Sequence, residues 1–375
     1  MIPIAKPYLD TSDAQNAYDT ILTGWITQGP KVKEFEEKFA EYTGAKHAVA
    51  LSNCTTALHL AMIVAEIGPE DEVICPSMSY IATANAIRYV GAKTVFAEVN
   101  EQYNLDIEDV RSKINARTKA ILLVHQIGMP ADIAAFKQLC VEHKLILIED
   151  AACAIGSEYQ GEKIGVHSDL VCFSFHPRKV ITTGDGGMIT TSREDFANRM
   201  RVLRQHGMSV NDRVRHLSDK VIMEDHVELG YNYRMTDIQA AVGIKQLEKL
   251  DLIVTERRKI AEQYLQAFKN IDCIRLPKEE NGYRTNWQSF SIYLKPNCPI
   301  SRDELMQKML DNKIATRRGI MTSHRETAYK EYCNGLVMPI SEDLADRSIL
   351  LPLYYPMAQE DINTVIVNFI KMITA

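Results

Sequence analysis

The sequence lacks the cysteine spacing of metal sites and the leader of secreted proteins. None of its eight cysteines forms a CxxC pair or has zinc spacing with a histidine, and several lie in apolar runs such as VICP. A free thiol in such a run behaves as a small hydrophobic side chain. This usage favours a reducing compartment over a disulfide framework and predicts no metal site. The amino-terminal residues also lack the basic and apolar regions of a secretory signal.

Long apolar runs and an excess of positive charge are missing as well. No stretch approaches the ~20 continuous apolar residues that are needed to cross a bilayer. The formal net charge of -6 gives no general attraction to nucleic acid or to anionic membranes. We therefore expect a soluble, cytoplasmic protein with neither a nucleic-acid partner nor a membrane partner.

What the sequence does have is an alternation of short apolar runs with helical patterns. The apolar runs, which predict strands, are 47–51, 71–76, 93–99, 119–125, 145–150 and 169–176. Strands that alternate with helices predict βαβ units, hence an α/β fold with a largely parallel sheet. Because these strands are apolar on both sides, we expect helices on both faces of the sheet.

The pattern changes after a long helical region, 230–268, which one break could divide. We place a domain boundary near residue 250, so that 1–250 form a large domain with an amino-terminal arm and 251–375 form a smaller one. The polar stretch at 206–228 has little core-forming pattern. Both a functional loop and a plain surface excursion remain open for it.

Three strand ends carry residues that could do chemistry, since ligands of open α/β sheets gather at the carboxyl ends of strands. At the first, Ser52, Asn53, Thr55 and Thr56 precede a clear helix. Hydroxyls and free backbone N–H groups at a helix start form a phosphate site. Simple N-capping of the helix is the alternative.

The other two strand ends place an acid and a lysine. Asp150 ends a buried strand, where a carboxylate is costly without a cationic partner such as a protonated pyridine nitrogen; a helix cap is the alternative. Lys179 lies between two apolar strands beside a Gly-rich turn, where desolvation would lower its pKa and favour Schiff-base chemistry. A solvated surface charge is the alternative. Together, these parts are what a pyridoxal phosphate enzyme needs.

Several segments, in their order and spacing, resemble the DegT/DnrJ/StrS family of sugar aminotransferases, which are fold type I pyridoxal-phosphate-dependent enzymes. The segments are GWITQGPKVKEFEEKFAEYTG (24–44), PSMSYIATANAI (76–87), EDAACAIG (149–156), SFHPRKVITTGDGG (174–187), LGYNYRMTDIQAAVG (229–243) and SILLPLYYPMAQEDI (348–362). The resemblance covers nearly the whole chain. It implies a seven-stranded, mainly parallel sheet and a smaller carboxyl-terminal α/β domain.

The resemblance also implies roles for residues around the cofactor ring. Lys179 matches the lysine that holds pyridoxal 5'-phosphate as a Schiff base, and Asp150 matches the carboxylate that pairs with the pyridine nitrogen. Tyr80 falls where the family places an aromatic ring on the cofactor. Cys153 stands where the family usually has Gln or His near the phenolic oxygen, which puts that hydrogen bond in doubt.

Further roles concern the cofactor phosphate and the assembly. Thr55, Thr56 and Ser174 match phosphate ligands. Asn232 matches an asparagine that reaches the phosphate from the neighbouring subunit. The resemblance therefore implies a homodimer with shared active sites.

The activity that the resemblance implies is transamination. An amino acid, usually L-glutamate, gives its amine to the cofactor, which passes it to the keto group of a nucleotide-linked deoxysugar in amino-sugar biosynthesis. A ketocyclitol acceptor, a dehydration reaction and a non-catalytic sensor are the alternatives. Members that dehydrate have His in place of the lysine, so Lys179 favours transamination.

A basic cluster in the carboxyl-terminal part is a candidate for substrate binding. Arg317, Arg318, His324 and Arg325 lie within 315–329. Guanidinium groups suit carboxylates and phosphates, and the implied substrates bring both. A solvated basic surface is the alternative.

Overall fold

A computed structural model describes residues 1–210 and 218–374 of the chain. Residues 211–217, which belong to the polar stretch at 206–228, lie outside the described residues. The described strands are β1 (His47–Leu51), β2 (Glu72–Pro76), β3 (Lys93–Ala97), β4 (Thr118–Val124), β5 (Ile146–Asp150), β6 (Glu158–Tyr159), β7 (Glu162–Lys163), β8 (Leu170–Ser174), β9 (Gly187–Thr191), β10 (Ile274–Arg275), β11 (Tyr283–Arg284), β12 (Phe290–Leu294), β13 (Arg317–Arg318) and β14 (Ser348–Leu351).

Helices occupy much of the remaining described chain. The α-helices are α1 (Thr11–Leu22), α2 (Pro30–Thr43), α3 (Cys54–Val64), α4 (Ala82–Tyr89), α5 (Ile107–Lys113), α6 (Ile133–His143), α7 (Glu194–Leu203), α8 (Asp237–Phe268), α9 (Arg302–Asp311), α10 (Lys330–Cys333), α11 (Pro339–Arg347) and α12 (Gln359–Thr374). Short 3-10 helices cover Gln126–Gly128, Ser323–Arg325 and Thr327–Tyr329. No helix in the described ranges is both long and apolar enough to cross a membrane.

The large sheet has seven strands in the order β1-β9-β8-β5-β4-β2-β3. Strands β3, β2, β4, β5 and β8 pair in parallel, and β9 runs antiparallel between β8 and β1. Each of the six apolar runs that predicted a strand forms one. The α/β fold with a mainly parallel seven-stranded sheet is confirmed.

The two faces of this sheet are buried under different helices because successive side chains of a strand point to opposite sides. In β1, Ala48 and Ala50 belong to the apolar core that includes residues of α2, α6 and α8, whereas Val49 and Leu51 belong to the core that includes residues of α3, α4 and α7. The same alternation holds in β4, where Ile121 faces the first set of helices. Helices therefore cover both faces, as the apolar strands predict.

The carboxyl-terminal part is built on a second, antiparallel sheet in the order β10-β12-β14-β13. Its core includes residues from α9 and α12 and also Ile2 from the amino-terminal arm. The arm is fixed by backbone bonds, since Ile2 N donates to Lys313 O and Ala315 N donates to Ile2 O. Ile2 thus contributes to the core of the carboxyl-terminal part.

The long helix α8 joins the two cores as one unbroken helix of 32 residues. Thr236 and Gln239 form a capping box at its start, which satisfies free N–H groups of the first turn. Its side chains up to Val254 pack in the core of the large sheet, and those from Ile260 onward pack in the core of the second sheet. Residue 250 lies within this helix, and the division of the chain at that point stays a prediction.

Candidate functional site

Lys179 lies in the turn between β8 and β9, and backbone bonds fix that turn. Lys179 N donates to His176 O at 2.8 Å, and Thr183 N donates to Phe175 O at 3.1 Å. The side chain runs inward, and its Nζ donates to Cys153 Sγ at 3.1 Å. The lysine is therefore not a solvated surface charge.

The pKa of Lys179 departs from the sequence-based expectation. Burial acts to lower this pKa, but the neighbouring Cys153, Cys54 and Asp150 outweigh burial and raise it. Desolvation thus acts in the expected direction, but the net shift is upward because the nearby groups stabilise the ammonium form. Covalent chemistry at Nζ therefore requires that proton to leave first.

Asp150 ends β5 and is buried, with both carboxylate oxygens bonded. Thr83 Oγ1 donates to Oδ2 at 2.8 Å, and Ala152 N donates to Oδ1 at 3.1 Å. The second of these bonds is of the local capping type, but Ala152 begins no helix. The orientation of the Asp150 carboxylate is thus fixed by groups from two separate segments of the chain.

A chain of hydroxyl groups leads into Asp150. Thr83 Oγ1 and Ser79 Oγ lie 2.7 Å apart. A hydroxyl has one proton to donate, and the Thr83 proton is directed at Asp150, so Ser79 donates to Thr83. The polar chain Ser79–Thr83–Asp150 therefore has one defined direction.

The start of α3 has features of both alternatives that the sequence leaves open, namely a capped helix and a phosphate site. The side chain of Asn53 caps the helix by accepting from Thr56 N at 2.9 Å, and Thr56 Oγ1 donates to Asn53 O at 2.8 Å. Thr55 is partly exposed, and its hydroxyl has no hydrogen bond to the described residues. The first N–H groups of a helix have no intrahelical partners. Capping by Asn53 and Thr56 thus leaves the Thr55 hydroxyl and the remaining N–H groups of the first turn for an anion.

Strand β9 approaches the start of α3 so closely that only glycine fits at its first position. A Cβ on Gly187 would lie 2.4 Å from Asn53 O and 2.8 Å from Cys54 N. The approach brings the end of β8, where Ser174 is buried, next to the α3 start. Burial raises the pKa of Cys54, and the charges of Asp150 and Lys179 also act on it. The three strand ends therefore meet at one place.

Tyr80 and Asn232 lie outside this buried cluster. Tyr80 follows the β2 end and is 65% exposed. Asn232 is exposed, and its backbone forms an isolated bridge with Gln205. Neither position tests the roles that the resemblance implies, which stay predictions.

The arginines of the predicted basic cluster differ in their surroundings. Arg318 is exposed and lies 3.5 Å from Glu326. Arg317 is exposed as well, and partial desolvation and the neighbouring Arg178 both lower its pKa. Among the described residues, neither Arg178 nor Arg317 forms an ion pair. Two guanidinium groups thus lie near the Lys179 turn, and an anion would relieve their repulsion.

His324 is buried instead of facing a cleft. Its side chain is 1% exposed, its Nδ1 is bonded to Ser77 Oγ, and its Nε2 is bonded to Glu342 Oε1 at 2.9 Å. Both ring nitrogens are therefore in use within the chain.

Sequence reasoning missed Ser79, Thr83 and Arg178. Thr83 and Ser79 are within the segment 76–87, where a hydroxyl four residues from another on the buried side of a helix start is the available signal. Nothing in the sequence pairs Arg178 with Arg317, because the two are far apart along the chain.

The chemistry of this donor set fits pyridoxal 5'-phosphate. The cluster offers a buried amine, a fixed carboxylate and a helix start with a free hydroxyl, and Gly187 keeps that helix start close to the lysine turn. These groups suit the aldehyde, the ring nitrogen and the phosphate of the cofactor, in that order.

Comparison with known proteins agrees with this geometry. The model of the DegT/DnrJ/EryC1/StrS aminotransferase family matches residues 7–370. The chain belongs to this family. The membership confirms the resemblance read from the sequence and identifies the chain as a pyridoxal-phosphate-dependent aminotransferase of fold type I.

Three relatives illustrate the breadth of the family. GDP-perosamine synthase of Vibrio cholerae is 37% identical over 373 residues, covering 99% of this chain and 98% of that protein. Helicobacter pylori PseC, an aminotransferase involved in the biosynthesis of pseudoaminic acid, superposes with a TM-score of 0.92 at 26% identity, covering 100% of this chain and 99% of that one. The PLP form of a putative sugar aminotransferase from Streptococcus pneumoniae gives a TM-score of 0.91 at 27% identity, covering 98% and 97%.

Proposed function

We propose that this family member moves an amino group from an amino acid, L-glutamate, to the keto group of a nucleotide-linked keto-deoxysugar in amino-sugar biosynthesis. The observation that carries the proposal is the buried Lys179 Nζ, which lies 3.1 Å from Cys153 Sγ beside the fixed carboxylate of Asp150. The relatives named for GDP-perosamine and pseudoaminic acid support a sugar acceptor.

When bound, pyridoxal 5'-phosphate supplies the electron sink for the reaction. In the proposal Lys179 would hold the cofactor through Nζ and would act as the general acid and base once that amine is free. Asp150, oriented by Thr83 and Ala152, would hold the ring nitrogen. Tyr80 would contact the ring.

The phosphate is assigned to the start of α3 and to the end of β8. Thr55 and Thr56 lie in the first turn of α3, where N–H groups and the helix dipole favour an anion. Ser174 is buried nearby. Asn232 is exposed and is assigned to the phosphate of the partner subunit, so that a homodimer has shared sites.

Cys153 replaces the Gln or His that is usual near the phenolic oxygen of the cofactor. A thiol is a weak hydrogen-bond donor, so it stabilises negative charge on that oxygen less than an amide or imidazole does. Cys153 Sγ instead accepts from Lys179 Nζ. In the proposal the main role of Cys153 is to orient the Lys179 side chain, and its effect on the charge of the cofactor ring is smaller.

Absorbance of the purified protein, loaded with the cofactor, tests the proposal. We expect a yellow protein that bleaches with L-glutamate and recovers its colour with a nucleotide-linked ketosugar, with NMR of the product locating the new amine. Lys179→Ala should lose the visible band of the lysine-bound cofactor, and turnover should fall by several orders of magnitude.

Each of the other outcomes would exclude the proposed activity. A yellow protein inert to amine donors would support dehydration, and a colourless protein would support sensing. Recovery of colour with a ketocyclitol alone would move the acceptor to that class. A Lys179→Ala protein that keeps a borohydride-reducible cofactor and near-normal turnover would remove Lys179 from its role.

A further inference from the structure

The loop between β2 and α4 is held from outside the large domain. Ser77, Met78 and Ser79 are buried, while the next residue, Tyr80, is 65% exposed. Ser323 N donates to Ser77 O at 2.8 Å, and Met78 forms an antiparallel bridge with Thr322. The segment 322–324 therefore lies along the loop 77–80 like a short extra strand.

His324 connects this loop to α11. Its Nδ1 is bonded to Ser77 Oγ, and its Nε2 is bonded to Glu342 Oε1 at 2.9 Å. Glu342 Oε1 also accepts from Met338 N at 2.8 Å. The hydrogen bond from Met338 N, and after it the one from His324, lowers the pKa of Glu342. A carboxylate only accepts hydrogen bonds, so Nε2 of His324 is protonated and is the donor of the hydrogen bond to Glu342.

The loop is also the starting point of two features of the site. Its last residue is Tyr80, assigned above to the cofactor ring. Its Ser79 donates to Thr83, which in turn donates to Asp150. A shift of this loop would therefore move Tyr80 and at the same time change the orientation of the Asp150 carboxylate.

We propose that His324, oriented by Glu342, is a positioning residue that fixes the loop 77–80 and through it Tyr80 and Asp150. The proposal rests on the proposed function, because it needs the cofactor at this site. It gives His324 a role other than contact with substrate, since its side chain is only 1% exposed. The carboxyl-terminal domain then contributes to cofactor binding without touching the cofactor.

A hydrogen bond beside this contact supplies the control. Tyr293 of β12 lies in the same buried apolar cluster as Met78, and its hydroxyl donates at 2.6 Å to Asp343, the residue after Glu342 on α11. Tyr293→Phe keeps the ring in this cluster and removes one hydrogen bond between β12 and α11 without touching the hydrogen bonds of loop 77–80. It therefore reports the effect of a weakened attachment of α11 alone.

The test measures the dissociation constant of pyridoxal 5'-phosphate and the visible circular dichroism of the bound cofactor. We expect His324→Leu to raise that constant about tenfold, as for a lost buried hydrogen-bond pair. His324→Asn places a polar atom near the position of Nδ1, so it should restore most of the affinity. Glu342→Gln should have an intermediate effect, and Tyr293→Phe should change the constant less than about twofold.

A double-mutant cycle separates positioning from general loosening. Because His324 acts in part through Tyr80, the combined Tyr80→Ala and His324→Leu variant should lose less cofactor affinity than the sum of the two single losses. Fully additive effects, or an unchanged dissociation constant and dichroism in folded His324→Leu, would overturn the proposal. If His324→Leu does not fold, the same cycle is run with Glu342→Gln, and the same criteria apply.

Failure of the proposed function looks different. In that case the wild-type protein itself would show no bleaching with any amine donor. Loss of the His324 role would instead leave wild-type bleaching intact and make His324→Leu equal to Tyr293→Phe in cofactor affinity.

Discussion

Asp150 differs from the loop residue Asp106 in what its oxygens accept. Asp106 accepts from Asp109 N and caps α5, whereas Asp150 accepts from the side chain of Thr83 and from Ala152 N, which begins no helix. Because the donors leave one side of each oxygen available, the carboxylate can still pair with a cation. This arrangement separates a ring-nitrogen partner from a helix cap.

Asp150→Asn is expected to lower the turnover rate well beyond ~10²-fold, because an amide cannot hold the ring nitrogen protonated. The free energy of unfolding should change little, since the amide oxygen can still accept from Thr83. Steady-state kinetics and thermal unfolding measure the two effects. Asp106→Asn is the matched control, with normal turnover expected. A wild-type rate in Asp150→Asn would make Asp150 a structural residue.

Arg317 offers a second test at the scale of one side chain. Its guanidinium lies near that of Arg178 and forms no ion pair with the described residues, whereas Arg318 is already 3.5 Å from Glu326. We expect Arg317→Ala to raise KM about tenfold for the substrate whose carboxylate or phosphate it binds. Arg318→Ala should raise it less, and the visible spectrum should be unchanged in both. Unchanged KM for both substrates in both variants would show that the cluster is a solvated basic surface without a role in substrate binding.

Among the secondary-structure elements, the contact of β9 with α3 restricts the sequence to glycine at one position. At Gly187 an added Cβ would lie 2.4 Å from the backbone oxygen of Asn53, which cannot move without shifting the start of the helix. At Gly68 an added Cβ would meet nothing within 4 Å. The two glycines therefore form a matched pair.

Gly187→Ala should weaken binding of pyridoxal 5'-phosphate by about tenfold or more and destabilise the fold by ~1–3 kcal/mol, as overpacking does. Gly68→Ala should leave both unchanged. Fluorescence titration of the cofactor and denaturant unfolding measure the two quantities. Equal cofactor affinity in the two variants would show that the start of α3 is not part of the phosphate site.

The elements were predictable from the sequence where the signal is local. Apolar runs located the strands of the large sheet because both faces of each strand are buried. The direction of β9 was not predictable, since the turn that carries Lys179 reverses the chain by hydrogen bonds to Phe175 O. The unbroken course of α8 was likewise undecided, because its side chains switch between two cores without a change in helical period.

The same distinction applies to the site. Lys179 and Asp150 were found because each lies at a strand end with a local pattern. The raised pKa of Lys179 was not predictable, because it depends on Cys153 and Cys54, which come from other segments. The bonds of His324 to Ser77 and Glu342 join residues that are 247 and 18 positions apart, and no local pattern predicts such pairs.

At the scale of the whole molecule, the exposed Asn232 leads to a prediction about assembly. Lys179→Ala and Asn232→Ala are each prepared as pure protein and mixed under conditions of subunit exchange. If sites are shared about a two-fold axis, a mixed dimer has one site with both defects and one with neither, and activity should recover to about one-quarter of wild type. Activity of the mixture is the measurement, with each unmixed parent as control. Demonstrated exchange without recovery would place both residues in one chain's site.

The amino-terminal arm has a consequence for the order in which the protein can fold. Ile2 is made long before the residues of α9, α12 and β14 among which it packs. Contacts between the two ends of a chain are formed late because closing so long a loop is entropically costly. The second core therefore cannot be finished before α12 has been made, and until then Ile2 has no partners in that core. A fragment that begins at residue 251 would lack one of its own core side chains, however well its helices and strands formed.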